Sequence, residues 1–346
     1  MTVEGTLRSL VLFDVADAIR VEEIGAMLGE STGEPVRSFP RAAPDYVRFE
    51  RPPVVENYAD GRIKYYDSGV VSVERDVAFR GSWEELVEQS SRFVNAPRAE
   101  QHAIDLLRPR LERARTALLN AYDHWLSEDY YIILIDSAPC TAQQLLAGYG
   151  MQIAQIIRGE SQPLSEEERD DALKARLSYY PNDLAVIGWT AAVICDTPAA
   201  AAPTIQLLEY ANTQLLEYRY YDERLTRVLE EVYKQLDAGT GFFARWKMAS
   251  RAAGLNTIRL DVIELTERTD NSVKFLSDMF YARLYRLAAA RVGVPDYRDL
   301  VDEKIRTAGE LYQFMVDQFQ QARSFALELM VVVILMIELA YLFRGK

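Results

Sequence analysis

The last stretch of the chain limits its fold more than any other segment. From Phe325 to Phe343 the sequence reads FALELMVVVILMIELAYLF, interrupted only by Glu328 and Glu338, and it closes on Arg344-Gly345-Lys346. At about 1.5 Å per helical residue this run nearly spans the roughly 30 Å hydrocarbon core of a bilayer. A helix that is apolar on every side belongs either inside a folded body or in lipid. Each glutamate opposes lipid, by about 2.5–3.5 kcal/mol at mid-bilayer. Glu328 falls at the entry interface, where a carboxylate keeps its water, and the apolar residues around Glu338 outweigh the second cost. Tyr341 and Arg344 suit the far interface. The sequence therefore predicts one C-terminal transmembrane helix over 324–343. Met1 to Glu23 carries no export signal, so the bulk of the protein is expected on the side where it was made.

Composition narrows the chemistry. Fifty-two acidic residues against thirty-nine basic ones give a formal charge of -13 over 346 residues. Nucleic-acid affinity comes largely from neutralising phosphates, so an acidic chain is a poor DNA binder. Two histidines, His102 and His124, and two cysteines, Cys140 and Cys195, leave little material for a zinc site, a histidine-based triad or a disulfide scaffold. Gly148-Tyr149-Gly150 lacks the third glycine of a dinucleotide fingerprint, and no phosphate-loop lysine motif occurs. The reading is a protein with no catalytic constellation, no metal and no cofactor.

Local patterns divide the chain. Leu7 to Phe13 reads as a strand and Val15 to Leu28 as an amphipathic helix. Arg62–Tyr66 and Val70–Phe79 read as paired strands around the turn signal Asp67-Ser68-Gly69. Ser82 and Glu85 form a capping box opening a helix to about Asn95. A charged helix is expected over Glu100–Trp125, then a buried strand over Tyr130–Ile135. This order predicts a small N-terminal ferredoxin-like α+β domain, 1–136.

Strand signals nearly vanish after Ser137, so 137–195 reads as a helical connector. Asp196-Thr197-Pro198 opens a long helix, with threonine as cap and proline at the first helical position. Apolar residues at three- and four-residue steps continue through Leu208, Leu215, Leu225 and Leu236. A second long helix is expected from Asn256 to Arg291 and a third from near Asp296. Together they predict a long-helix bundle or coiled coil over 196–323.

Two groups of residues carry a functional reading. Glu338 sits in the apolar helix with Ile334 and Leu342 one turn away. An intramembrane carboxylate is by default a functional group, here a contact with a neighbouring chain, and Glu328, Glu338 and Tyr341 form the expected membrane and oligomer site. Gly241–Arg259 holds no acidic residue, and its Phe242, Arg245, Trp246, Lys247 and Arg251 are candidates for contact with anionic lipid headgroups. A connector whose aromatic residues pack on the bundle remains the alternative.

Asp67-Ser68-Gly69-Val70-Val71, the Asp196-Thr197-Pro198 helix start followed by LLEYANTQLLEYRYYDERL, and the Glu328–Glu338 segment together resemble the "required for meiotic nuclear division" protein family. The resemblance implies a membrane-anchored, oligomerising, non-enzymatic protein that supports translation by tethering ribosomes, with ribosomal proteins as partners. The missing transit peptide points to a bacterial inner membrane. The sequence thus leads to a membrane-bound homo-oligomeric scaffold. The competing class is a soluble helical enzyme or ligand-binding protein with its last helix buried.

Overall fold

The computed structural model describes residues 2–28, 53–94, 96, 98–136, 140–237, 260, 262 and 279–344, and side chains are outside that set at 231, 232, 235–237, 312, 314–326, 329 and 341–344. These residues fall into two compact units, 1–220 with 267–297 and 221–266 with 298–346.

The first unit is built on one mixed sheet. Its strands are β1 (Val3–Ile19), β2 (Val54–Tyr58), β3 (Gly61–Tyr65), β4 (Val70–Gly81), β5 (Leu118–Ile135), β6 (Arg176–Leu177), β7 (Leu184–Ile187) and β8 (Ala191–Cys195). Their order across the sheet is β2-β3-β4-β1-β5-β8-β7-β6. All neighbours are antiparallel except β5 and β8, which run parallel from Tyr131 opposite Ala191 to Ile135 opposite Cys195. The α+β class expected from the sequence is present, but the small ferredoxin-like sheet is replaced by an eight-stranded one reaching residue 195.

The β3–β4 hairpin turns where the sequence placed it. Gly69 has φ +96, and an added Cβ would lie 1.8 Å from the Ala16 carbonyl oxygen, so only glycine suits the turn. Ser82 and Glu85 complete their box: the Ser82 N–H donates to Glu85 Oε2 at 2.7 Å and the Glu85 N–H to Ser82 Oγ at 3.2 Å. It opens α2 (Trp83–Val94). Thr141 and Gln144 form a second box at the start of α4 (Ala142–Arg158).

Three expectations fail, each because tertiary pairing overrides a local pattern. Val15–Ile19 continues β1 rather than starting a helix, since Ala16 and Ala18 pair with Ala121 and Leu119; the helix that follows, α1, covers only Val21–Met27. The charged helix ends early, as α3 (Ala99–Arg113), a 3-10 turn follows at Arg115–Ala117, and Leu118 to Trp125 belong to β5. The supposed helical connector holds α4 and α5 (Glu166–Ala172) but also β6, β7 and β8. LAVI and AAVIC are short apolar runs whose spacing does not separate a strand from a buried helix.

One sheet face is covered by α1–α5. Leu7, Tyr131, Ile133 and Val193 pack with Trp83, Leu86, Ile153 and Ile157, and Trp83 stacks on Tyr149 at 4.6 Å. Val11, Phe13, Ile63 and Val73 pack with Ala103, Leu107 and Leu111. The other face meets α6 (Pro198–Asp237), through ion pairs from Lys64 to Glu209 and from Arg219 to Glu128. The first unit also contains α7 (Met279–Val292), whose Tyr285 hydroxyl hydrogen-bonds Gln214 of α6.

The second unit comprises the end of α6 and most of α8 (Val294–Arg344). There Lys304 donates to Asp222 Oδ1 at 2.5 Å and to Thr226 Oγ1 at 2.6 Å, joining the two long helices. Leu225, Val301 and Ala308 are buried. Of the expected second long helix, residues 260, 262 and 279–292 are described, and all of these are helical.

Candidate functional site

The residues singled out by sequence lie mostly on α8. Glu328 and Glu338 are both exposed on it, amid exposed Leu327, Met330–Ile337 and Leu339. Tyr341 is a helical position whose side chain is outside the described set. Phe242, Arg245, Trp246, Lys247 and Arg251 lie outside the described residues altogether. Among the described residues no helix is long and apolar enough to cross a membrane; the described apolar side chains, Leu327–Leu339, cover only about 20 Å. No group that could hold a metal ion occurs among the described residues.

A second candidate comes from the α6-facing side of the sheet. Cross-strand register puts Arg62 opposite Glu74, Lys64 opposite Ser72 and Arg8 opposite Asp76. Glu74 is fully buried, and Arg62 reaches its Oε2 at 2.5 Å. Lys64 Nζ bridges Glu74 to Glu209, which is also fully buried. Arg8 makes a two-pronged pair with Asp76, at 2.6 and 2.7 Å, and stands 3.6 Å from Glu74. Burial opposes the charge on Glu74, but Lys64, Arg8 and Arg62 overcome it and hold the carboxyl well below the usual range. Lys64 is likewise held charged against its burial by Glu209 and Glu74. Tyr66 donates a hydrogen bond to Glu209, and its hydroxyl is pushed well up by burial and by the charges of Glu209 and Glu74. Three cations offset three anions, so the cluster works as a neutral clamp between sheet and helix and holds no spare base.

Asp14, on the same sheet face, behaves differently. It is 4% exposed, and burial, then the charges of Glu217 and Asp17, push its carboxyl up to about 8. Asp17 accepts hydrogen bonds from Asn120 and Tyr122, and Tyr122 stacks on Tyr220 at 5.0 Å.

A cavity of about 370 Å³ opens where β8 passes into α6. Asp183 and Asp196 line it with Tyr179, Tyr180, Phe280 and Tyr281. The local chain explains the arrangement. Asp183 accepts the backbone N–H groups of Tyr179 and Tyr180 at 2.7 and 2.9 Å, curling the β6–β7 loop. Asp196 accepts the Thr197 N–H at 2.7 Å, and Thr197 Oγ1 caps the helix through Ala200.

Residues 4–201 match the family model described as "Uncharacterized protein MJ0711, N-terminal domain". The chain belongs to that family. It is similar to the uncharacterized protein MJ0711 of Methanocaldococcus jannaschii, with 20% identity over 187 residues, 54% of this chain and 57% of that protein. The alignment thus spans little more than half of the relative's length. No solved structure matches.

Membership in the MJ0711 N-terminal domain family overturns the resemblance to the meiotic nuclear division family. The quoted motifs were short and scattered, and such fragments recur wherever a hairpin turn or a capped helix is needed. The ribosome expectation rested on that resemblance and goes with it. The MJ0711 match takes in the whole sheet, and so Arg8, Arg62, Lys64, Glu74 and Asp76, but ends before Glu209.

The charged cluster was not found by sequence reasoning. Its signal was the alternation of Ser72, Glu74 and Asp76 with valines, and of Arg62 with Lys64. Such a face normally meets water. Here a helix more than a hundred residues later covers it.

Proposed function

We propose that the protein is a non-enzymatic scaffold, held at a membrane by the end of α8 and assembled as a homo-oligomer. One observation carries this reading. Met330–Ile337 are eight consecutive apolar residues, each between 49% and 66% exposed. At 3.6 residues per turn they point in every direction, so the helix presents no polar side to water. An ordinary dimer contact needs only a stripe, and an unshielded apolar cylinder is best accommodated by lipid. The run from Phe325 to Phe343 then forms the single span, with the bulk of the chain on one side of the membrane. The ion-paired long helices of the second unit, joined by Lys304 and Asp222, set the spacing of the anchors. Phe242, Arg245, Trp246, Lys247 and Arg251 serve as an additional headgroup contact.

Alkaline carbonate extraction of membranes from cells making the full chain tests the anchor. The protein stays in the pellet if the helix lies in lipid. Complete release into the supernatant refutes the reading and favours a soluble protein whose last helix is covered by another protein surface.

A further inference from the structure

We propose that the cavity between the β6–β7 loop, the start of α6 and α7 binds a small organic cation, an alkylammonium compound carrying no anion next to its charge. The lining sets this chemistry, independently of the membrane reading. Two carboxylates, Asp183 and Asp196, face the cavity, and among the described residues its lining contains no lysine, arginine or histidine. Among the described residues neither carboxylate has an ion-pair partner; both are engaged only by backbone N–H groups. Four aromatic rings also line the cavity. Tyr179 meets Tyr180 edge-on at 4.8 Å and Phe280 at 5.0 Å, and Phe280 meets Tyr281 at 5.4 Å. Aromatic faces attract cations, and Tyr179 and Tyr180 are the most exposed of these rings. Tyr179 and Tyr180 are 55% and 63% exposed, an unusual state for two adjacent rings that a partner would shield.

A third observation concerns Thr204. It is 8% exposed, lines the same cavity, and has no hydrogen-bond partner among the described residues. A polar group on a ligand would find this hydroxyl within the cavity. The cavity also has the size of a small-molecule site.

An anion fits poorly. The α6 terminus has spent much of its capacity, because Thr197 N–H is bonded to Asp196, Pro198 has no N–H and Ala200 N–H is bonded to Thr197. A phosphate would also meet two carboxylates, with no cation in the lining among the described residues to offset them. Asp196 already feels this: burial, and then Asp183, push its carboxyl upward, against the N–H bond from Thr197. A bound cation would offset the charge on Asp196.

Isothermal titration of the full chain with choline, its uncharged isostere 3,3-dimethylbutanol, phosphocholine and inorganic phosphate tests the proposal. Choline is expected to bind at least about tenfold more tightly than the isostere, which removes only the charge. Phosphocholine is expected to be weaker than choline, and phosphate not to bind. Asp196→Asn and Tyr180→Leu should each weaken choline at least about fivefold. Tyr180 is largely exposed, so its replacement leaves the fold intact and serves if Asp196→Asn does not fold. Equal binding of choline and the isostere, no choline binding, tighter binding of phosphocholine, or unchanged choline binding by Tyr180→Leu overturns the proposal.

Discussion

Lys64 of β3 and Glu209 of α6, 145 residues apart, form a buried ion pair that fastens the central helix to the sheet. The same ammonium group serves Glu74, so its loss strands Glu209 and leaves Glu74 to Arg62 and Arg8. Breaking a buried pair from one side typically costs about 3–5 kcal/mol, because an uncompensated charge remains. Lys64→Met is expected to cost that much in urea unfolding. Glu209→Gln should cost less, since Lys64 still has Glu74 and the amide still accepts from Tyr66. Equal costs for the two changes contradict this hierarchy.

Asp14 makes stability fall as pH rises. Its carboxyl lies at about 8 in the folded chain against an ordinary 3.8, so the folded state holds the proton more tightly. The stabilisation linked to that proton is complete below about pH 4 and is lost as pH rises through about 8, in total on the order of 5 kcal/mol. Asp14→Asn should flatten the stability profile between pH 4 and 8 and raise the unfolding midpoint at pH 8. An unchanged slope would show that Asp14 is not the group responsible.

Gly69→Ala should destabilise the β3–β4 hairpin. The residue has a left-handed backbone, and the new methyl would press on the Ala16 carbonyl. A loss of at least about 2 kcal/mol is expected in thermal or urea unfolding. A neutral result would mean that the turn adapts and that β1 shifts away at Ala16.

Glu338→Leu should alter the oligomer distribution in detergent, measured by cross-linking. A carboxylate in this apolar helix, with Ile334 and Leu342 four residues to either side, is expected to contact another chain. An unchanged distribution removes Glu338 from the oligomer contact.

What sequence made legible were features stated within a few residues. The Asp67-Ser68-Gly69 turn, the Ser82/Glu85 box and the Thr197-Pro198 helix start are local chemistry, and each lies where the pattern puts it. Val15–Ile19 and Leu118–Trp125 could not be read this way, because each is a strand only by virtue of the other. Similarly, β7 and β8 are too short for a period to declare itself. The Lys64–Glu74–Glu209 cluster was hidden for a different reason: the polar alternation was visible, but nothing local indicates that a distant helix will shut out the water. The tyrosine-lined cavity depended on bringing residues 179–183, 196 and 280–281 together, which no linear pattern signals.

The family match closes at residue 201, four residues into α6, whereas the charged side of the sheet needs Glu209 eight residues further on. Anyone trimming the protein to its recognisable domain would therefore cut away the lid of its own core. Leu10, Leu12 and Ile132, fully buried in the intact chain, would be laid bare beside a lysine that has lost half its ligands. A workable truncation has to keep α6 to at least Tyr220, and a failed expression trial ending near 201 would say nothing about whether the sheet is well made.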